Sequence, residues 1–249
     1  VLFDTTSAPA MPISGAGTVR KVSSSDWTMT ADMKGMTGTF DLSGGGVVSF
    51  SKDNAFCKSD AGTVIVSNGT TLSFTDVASR IRYARIRIAG RGKDDRGALE
   101  FKNASYDNMQ LHYVTLDGDA LITIAASCTM YGGNELNLNG HDLEIAGAGT
   151  FSHVGEVKGE GDITLTRLSS GTLTWDMSAG ATFTPSKTSG IYLTGKAKIT
   201  QNRAPAKPDR PLHVSGTGNV LGWNDYWNSS VITTNGVAML TALGGGGGG

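Results

Sequence analysis

A loose motif, an apolar residue followed by one or two small or polar residues and then glycine, returns along this chain at spacings near a fixed length. Copies stand at Ile13-Ser14-Gly15, Leu42-Ser43-Gly44, Ile88-Ala89-Gly90, Leu116-Asp117-Gly118, Ile145-Ala146-Gly147, Leu193-Thr194-Gly195 and Val214-Ser215-Gly216. Degraded copies at Val66-Ser67-Asn68-Gly69 and Leu168-Ser169-Ser170-Gly171 fall near the middle of the two widest gaps. Counted together they recur about every 25 residues, a solenoid-like period. Between them lie short alternating segments such as Val64-Ile65-Val66, Asp142-Leu143-Glu144-Ile145, Asp162-Ile163-Thr164-Leu165-Thr166, Thr172-Leu173-Thr174-Trp175 and Lys196-Ala197-Lys198-Ile199-Thr200. Alternation over so few residues marks strands with one buried face. Short strands at coil length predict an all-β chain folded as a right-handed parallel β-helix (β-solenoid), with a β-sandwich as the alternative.

The glycines then have a mechanical reading. Where the chain leaves one sheet for the next within a few residues, glycine supplies the positive φ such corners need. A phosphate-cradling loop would want a third glycine and a following helix; Gly15-Ala16-Gly17 and Gly147-Ala148-Gly149 have neither. Composition agrees with a solenoid: 35 glycines in 249 residues and only 17% charged residues leave few helix-forming windows. A net charge of −1 creates no global field toward nucleic acid or an anionic membrane, and no apolar run is long enough to cross a bilayer as a helix. We expect neither nucleic-acid binding nor membrane insertion. The first residues, VLFDTTSAPAMP, lack the basic start and apolar core of a signal peptide, so the expectation is a mature or excised part of a longer chain.

Residues 13–50, ISGAGTVRKVSSSDWTMTADMKGMTGTFDLSGGGVVSF, resemble the autotransporter-associated β-strand repeat of large bacterial surface proteins. Gly15, Gly17, Thr18, Trp27, Gly38, Thr39, Gly45 and Val47 stand where that repeat carries a Gly-x-Gly-Thr strand, a Trp- or Leu-centred strand, a Thr-Gly-Thr turn and a glycine-rich return strand. Residues 96–122 and 143–151 are similar to the segments that often follow it. The resemblance implies a right-handed β-helix displayed outside a bacterial cell as a stalk or adhesive surface, and it implies no catalytic residue.

Several clusters invite a chemical reading. Arg80, Arg82, Arg85, Arg87, Arg91 and Lys93 form a basic stretch in which alternation puts Arg85 and Arg87 opposite Ile86 and Ile88. Guanidinium forks match the sulfates or carboxylates of an acidic polysaccharide; the plainer reading is a solvated strand face paired with acids on neighbouring coils. Asp117 with Asp119, Asp142 with Glu144, and Glu160 with Asp162 are spaced to share a strand face, as a glycosidase pair or a Ca²⁺ site would require. Trp223, Tyr226 and Trp227 are candidates for stacking on sugars, or for closing the open end of the solenoid. His112, His141, His153 and His213 show no metal-ligand spacing. The proline-rich run Arg203–Pro211 is expected to leave the coil as an extended loop. Cys57 and Cys128 lie 71 residues apart, nearly three periods. At ~4.8 Å per coil that separation is ~14 Å, too far for a disulfide, so both are predicted unpaired.

The expectation is therefore one solenoid over residues 1–243, of roughly ten coils, with Gly244–Gly249 as a linker or chain boundary. No cofactor is called for. The function expected is that of a structural or adhesive stalk or fibre element, secreted or at the bacterial cell surface, and not an enzyme. Open sheet edges would let it associate end to end or with the rest of a longer chain, and a surface polysaccharide is a candidate partner. The alternatives are a polysaccharide lyase-like β-helix, with Arg85, Arg87 or Lys93 neutralising a uronate, and a glycan-binding module.

Overall fold

A computed structural model describes residues 1–50, 61–75, 84–102, 110–126, 129–153, 155–168, 171–177, 182–201, 209–223 and 231–242. Every strand pairing among them is parallel, which sets the β-sandwich aside and establishes a β-solenoid. The only helical turn described, Lys93–Asp95, is a single 3₁₀ turn.

Three sheets run along the stack. Sheet one passes through Leu2–Phe3, Thr18–Lys21, Thr39–Leu42, Thr63–Val66, Arg85–Gly90, residues 113–116, residues 135–137, Glu156–Lys158 and Thr182–Phe183. Sheet two takes Trp27–Met29, Gly46–Phe50, Thr70–Phe74, Leu99–Phe101, residues 120–124, Leu143–Gly147, Ile163–Arg167, Ile191–Leu193, residues 212–214 and residues 231–233. Sheet three begins at residues 110–111 and continues through residues 129–132, Thr150–His153, Leu173–Met177, Ala197–Gln201, residues 220–221 and residues 239–240.

Parallel register stacks like positions, so the alternation read in the sequence becomes continuous interior columns. In sheet two, Trp27, Val48, Leu72, Leu99, Ile122, Ile145, Leu165, Leu193 and Val214 sit one above another, and Thr233 continues the register. All nine through Val214 are buried. Each such burial stabilises the fold by about 1.5–3 kcal/mol relative to an exposed side chain. A second column, Met29, Phe50, Phe74, Phe101 and Ile124, lies beside it, with Phe74 and Phe101 stacked at 4.8 Å. Opposite, sheet one contributes Val19, Phe40, Val64, Ile86, Val114, Leu136, Val157 and Phe183.

Successive members of the sheet-two column lie 19 to 28 residues apart, so the coil has no fixed length. The uniform 25-residue period is corrected accordingly, and the reason is visible at the corners. Motif copies at Leu42, Val66, Ile88 and Leu116 end runs in sheet one, whereas those at Ile145, Leu193 and Val214 end runs in sheet two. The copy at Ile13 precedes the sheet-one strand Thr18–Lys21. The motif marks corners of several kinds, and its mean spacing mixes them. At Gly147 the requirement for glycine is steric: φ is +131°, and a Cβ there would lie 2.0 Å from the carbonyl oxygen of Ile124 on the preceding coil.

Two cations break the apolar pattern inside the stack. Lys21 is buried, its amine donating to the carbonyls of Ser23 and Gly45 and lying 5.2 Å from the Trp27 ring centroid; burial lowers its pKa. Arg210, also buried, donates to the carbonyls of Thr184, Gly161 and Gly159. These carbonyl partners satisfy the buried donors.

Candidate functional site

On sheet two the outward positions carry the chemistry. At the turn from sheet one, Asp119, Asp142 and Asp162 start successive coils and form a ladder. The amide of Asp142 donates to Asp119 Oδ1 at 3.0 Å, that of Asp162 to Asp142 Oδ1 at 2.8 Å, and that of Gly190 to Asp162 Oδ1 at 2.7 Å. Each carboxylate thus satisfies a backbone N–H that the corner takes out of the sheet.

Beside the ladder runs the outward column Leu121, Glu144, Thr164, Tyr192, His213 and Ile232. Its upper end is covered by the segment around the 3₁₀ turn: Thr123 donates its hydroxyl to the Arg96 carbonyl, and Leu121 is buried. From this cover Arg91 reaches down to Glu144 at 2.6 Å while also holding Asp95 at 2.8 Å. At the lower end Tyr192 and His213 stack face to face, centroids 4.4 Å apart and planes within 7°. Between them stands Thr164, whose short side chain leaves an open groove of about 640 Å³ lined by Arg91, Asp119, Asp142, Glu144, Asp162 and Tyr192.

Four carboxylates against one guanidinium make the groove anionic. The Tyr192 phenol responds to this setting: burial, then the charge of Asp162 and its hydrogen bond, raise its pKa. The Glu144 bond and then the Asp95 bond raise that of Arg91, so the guanidinium stays fixed to its acids. Among the described residues no group of three or more His, Cys, Asp or Glu side chains is arranged to hold a metal ion. What the groove can do is accept hydrogen bonds from hydroxyl or ammonium groups on one side and present an aromatic edge on the other.

The basic stretch divides at the Ile88–Gly90 corner. Arg85 and Arg87 stand on the outer face of sheet one as alternation predicts, Arg85 4.5 Å from the Tyr113 ring centroid and Arg87 held by Asp117 at 2.7 Å. Asp117 raises the pKa of Arg87, first through that hydrogen bond. Lys93 bonds Asp26 at 3.0 Å, and only Arg91 enters the groove. Arg80 and Arg82 lie outside the described residues, as do Tyr226, Trp227, the Trp223 side chain, Cys57, Cys128, Gly244–Gly249 and most of the proline-rich run.

The acidic pairs are also regrouped. Asp117 and Asp119 part at the corner, one to Arg87 and the other to the groove. Glu160 turns away from Asp162 and accepts the hydroxyls of Ser186 and Ser189 at 2.6 and 2.5 Å, which lower its pKa. The acids that meet come instead from consecutive coils. Spacings of 23 and 20 residues between Asp119, Asp142 and Asp162, close to one coil each, were the signal available for them. Tyr192 had no such signal, because its role depends on the size of Thr164 one coil away.

No protein-family model, no curated protein and no solved structure matches this chain. Among the described residues no helix is long and apolar enough to cross a membrane.

Proposed function

We propose that the chain is a structural element, a stiff stalk or fibre segment with an adhesive surface, displayed outside a bacterial cell. The observation that carries this reading is the buried column from Trp27 to Val214, which runs through nine coils of sheet two. A stack of this kind gains stability rung by rung and resists bending without any cofactor. Cations outside are matched to acids on neighbouring coils, Arg20 to Asp41, Arg87 to Asp117 and Arg91 to Glu144, as a solvated rod requires. Display at a cell surface draws support from the low charge and high glycine content, and from the Gly15-Ala16-Gly17-Thr18 to Val47 resemblance to the autotransporter-associated repeat.

The lyase reading is weaker on electrostatic grounds. Arg87 and Lys93 are already held by carboxylates, and the groove that Arg91 enters would repel a uronate. Product analysis after incubation with neutral, amino-bearing and uronate polysaccharides separates the two. The stalk leaves every substrate intact; turnover that scales with protein concentration sinks it. Antibody labelling of intact against permeabilised cells expressing the parent protein tests the surface location, and signal only after permeabilisation would overturn that part.

A further inference from the structure

We propose that the groove on the outer face of sheet two binds an uncharged or amino-bearing saccharide chain lying along the solenoid axis. Three features carry this beyond a structural role. Tyr192 has one ring face stacked on His213, and the column places Thr164 on its other side, where the groove opens. A pyranose ring seated there continues the stack that Thr164 interrupts, with its C–H face against an aromatic surface. A single polar-walled concavity with an aromatic platform is a general form for a ligand site.

The ladder supplies the second feature. Asp119 and Asp142 each commit Oδ1 to the next coil's amide, and for neither Oδ2 is there a hydrogen-bond donor among the described residues. Because the acids recur on successive coils, acceptors are presented at ~4.8 Å intervals along the axis. From Asp119 to Tyr192 is three coil steps, or ~14 Å, a length that suits a chain of sugars better than a single one. The third feature is charge. Four carboxylates against the already engaged Arg91 reject uronates and sulfates and favour hydroxyl or ammonium donors. The acidic polysaccharide considered for the arginine stretch is thus the wrong ligand for this site.

Isothermal titration of the full 249-residue chain with hexamers of glucosamine, glucose and galacturonic acid, and with hexalysine, tests the assignment. Glucosamine is expected to bind most tightly, glucose more weakly, and galacturonate and hexalysine not at all. Tyr192→Ala weakens binding about tenfold while Tyr192→Phe keeps it, because the ring face and not the phenol makes the contact. Asp142→Asn weakens glucosamine more than glucose, and Arg87→Ala, on another sheet, changes neither. Thr164→Trp fills the groove from the intervening rung and abolishes binding without removing a packed ring, so the test survives if Tyr192→Ala does not fold. The proposal is overturned if neither glucose nor glucosamine binds, if galacturonate or hexalysine binds as tightly as either, or if Thr164→Trp melts like the parent and still binds.

Discussion

Inner and outer surfaces of sheet two are built from alternate residues of the same strands, yet they obey different rules. Inside, Trp27, Val48, Leu72, Leu99, Ile122 and their successors differ in shape but share one property, near-complete exclusion from water. Their contribution accumulates along the stack. Outside, Leu121, Glu144, Thr164, Tyr192 and His213 share nothing except register, and the groove arises from one local interruption at Thr164. The difference teaches that a solenoid can separate its stability from its surface chemistry residue by residue. Changes inside should move stability and leave the surface alone, and changes outside should do the reverse.

The largest expected effect lies inside. Phe101→Ala removes a fully buried ring stacked on Phe74 and leaves a cavity between coils, at a cost of about 3–5 kcal/mol. Thr28→Ala, an exposed position on the same sheet, should stay within about 0.5 kcal/mol. Urea denaturation of both variants makes the comparison. Similar losses for the two would mean that the surfaces are coupled and the separation false.

The same division decides what could be read in advance. Alternation identified the strands because a solenoid strand needs only a buried and a solvated face, and Arg85-Ile86-Arg87-Ile88 shows this residue by residue. The glycine motif showed that the chain turns repeatedly, but one sterically similar corner serves both the exit from sheet one at Leu42 and the exit from sheet two at Ile145, so the coil length came out too uniform. The groove was hidden for a different reason. Its residues are 20 to 28 positions apart, so pairing acids two apart joined Asp117 to Asp119 and missed the ladder that joins Asp119 to Asp142 and Asp162. Lys21 and Arg210 were hidden too, since only the fold shows that carbonyls are waiting for them.

Arg210 lies where the two surfaces meet, inside the stack but charged. Its carbonyl acceptors on Gly159 and Gly161 flank Glu160, which in turn holds the segment leading to Tyr192. Arg210→Met fits the volume but leaves those carbonyls without their donor, for an expected loss of about 1–3 kcal/mol. Unlike Phe101→Ala, it should also disturb the groove, so the parent-like binding of glucosamine hexamer expected for a purely internal change would count against this link.

A smaller, pH-dependent effect belongs to Glu160 itself. Hydroxyls of Ser186 and Ser189 lower its folded pKa below the model value of 4.5. A depressed carboxylate pKa means that its contribution is fully present above that unfolded value and is lost as pH falls through the folded one. Melting temperature should therefore decline on acidification below about pH 4.5, and Glu160→Gln should remove that portion of the decline. An unchanged acid limb in the variant would assign the loss to other carboxylates.

The smallest effect is expected on the outside of sheet one. Arg87 is half exposed and bonds Asp117 across one coil, the geometry in which solvent screening leaves an ion pair worth no more than about 1 kcal/mol. Arg87→Ala should lower stability by about 0.5 kcal/mol in dilute buffer. In 1 M salt, where the Debye length shrinks to about 3 Å, the difference should vanish. Ile86, its neighbour in the same strand, is buried in the sheet-one column, and Ile86→Val should cost about 0.5–1.5 kcal/mol with no salt dependence. Adjacent residues would then report two separate environments through salt alone. A salt-insensitive loss of 2 kcal/mol or more from Arg87→Ala, above the surface-pair range, would break the comparison, because it would mean that the outer charges help to hold the coils together.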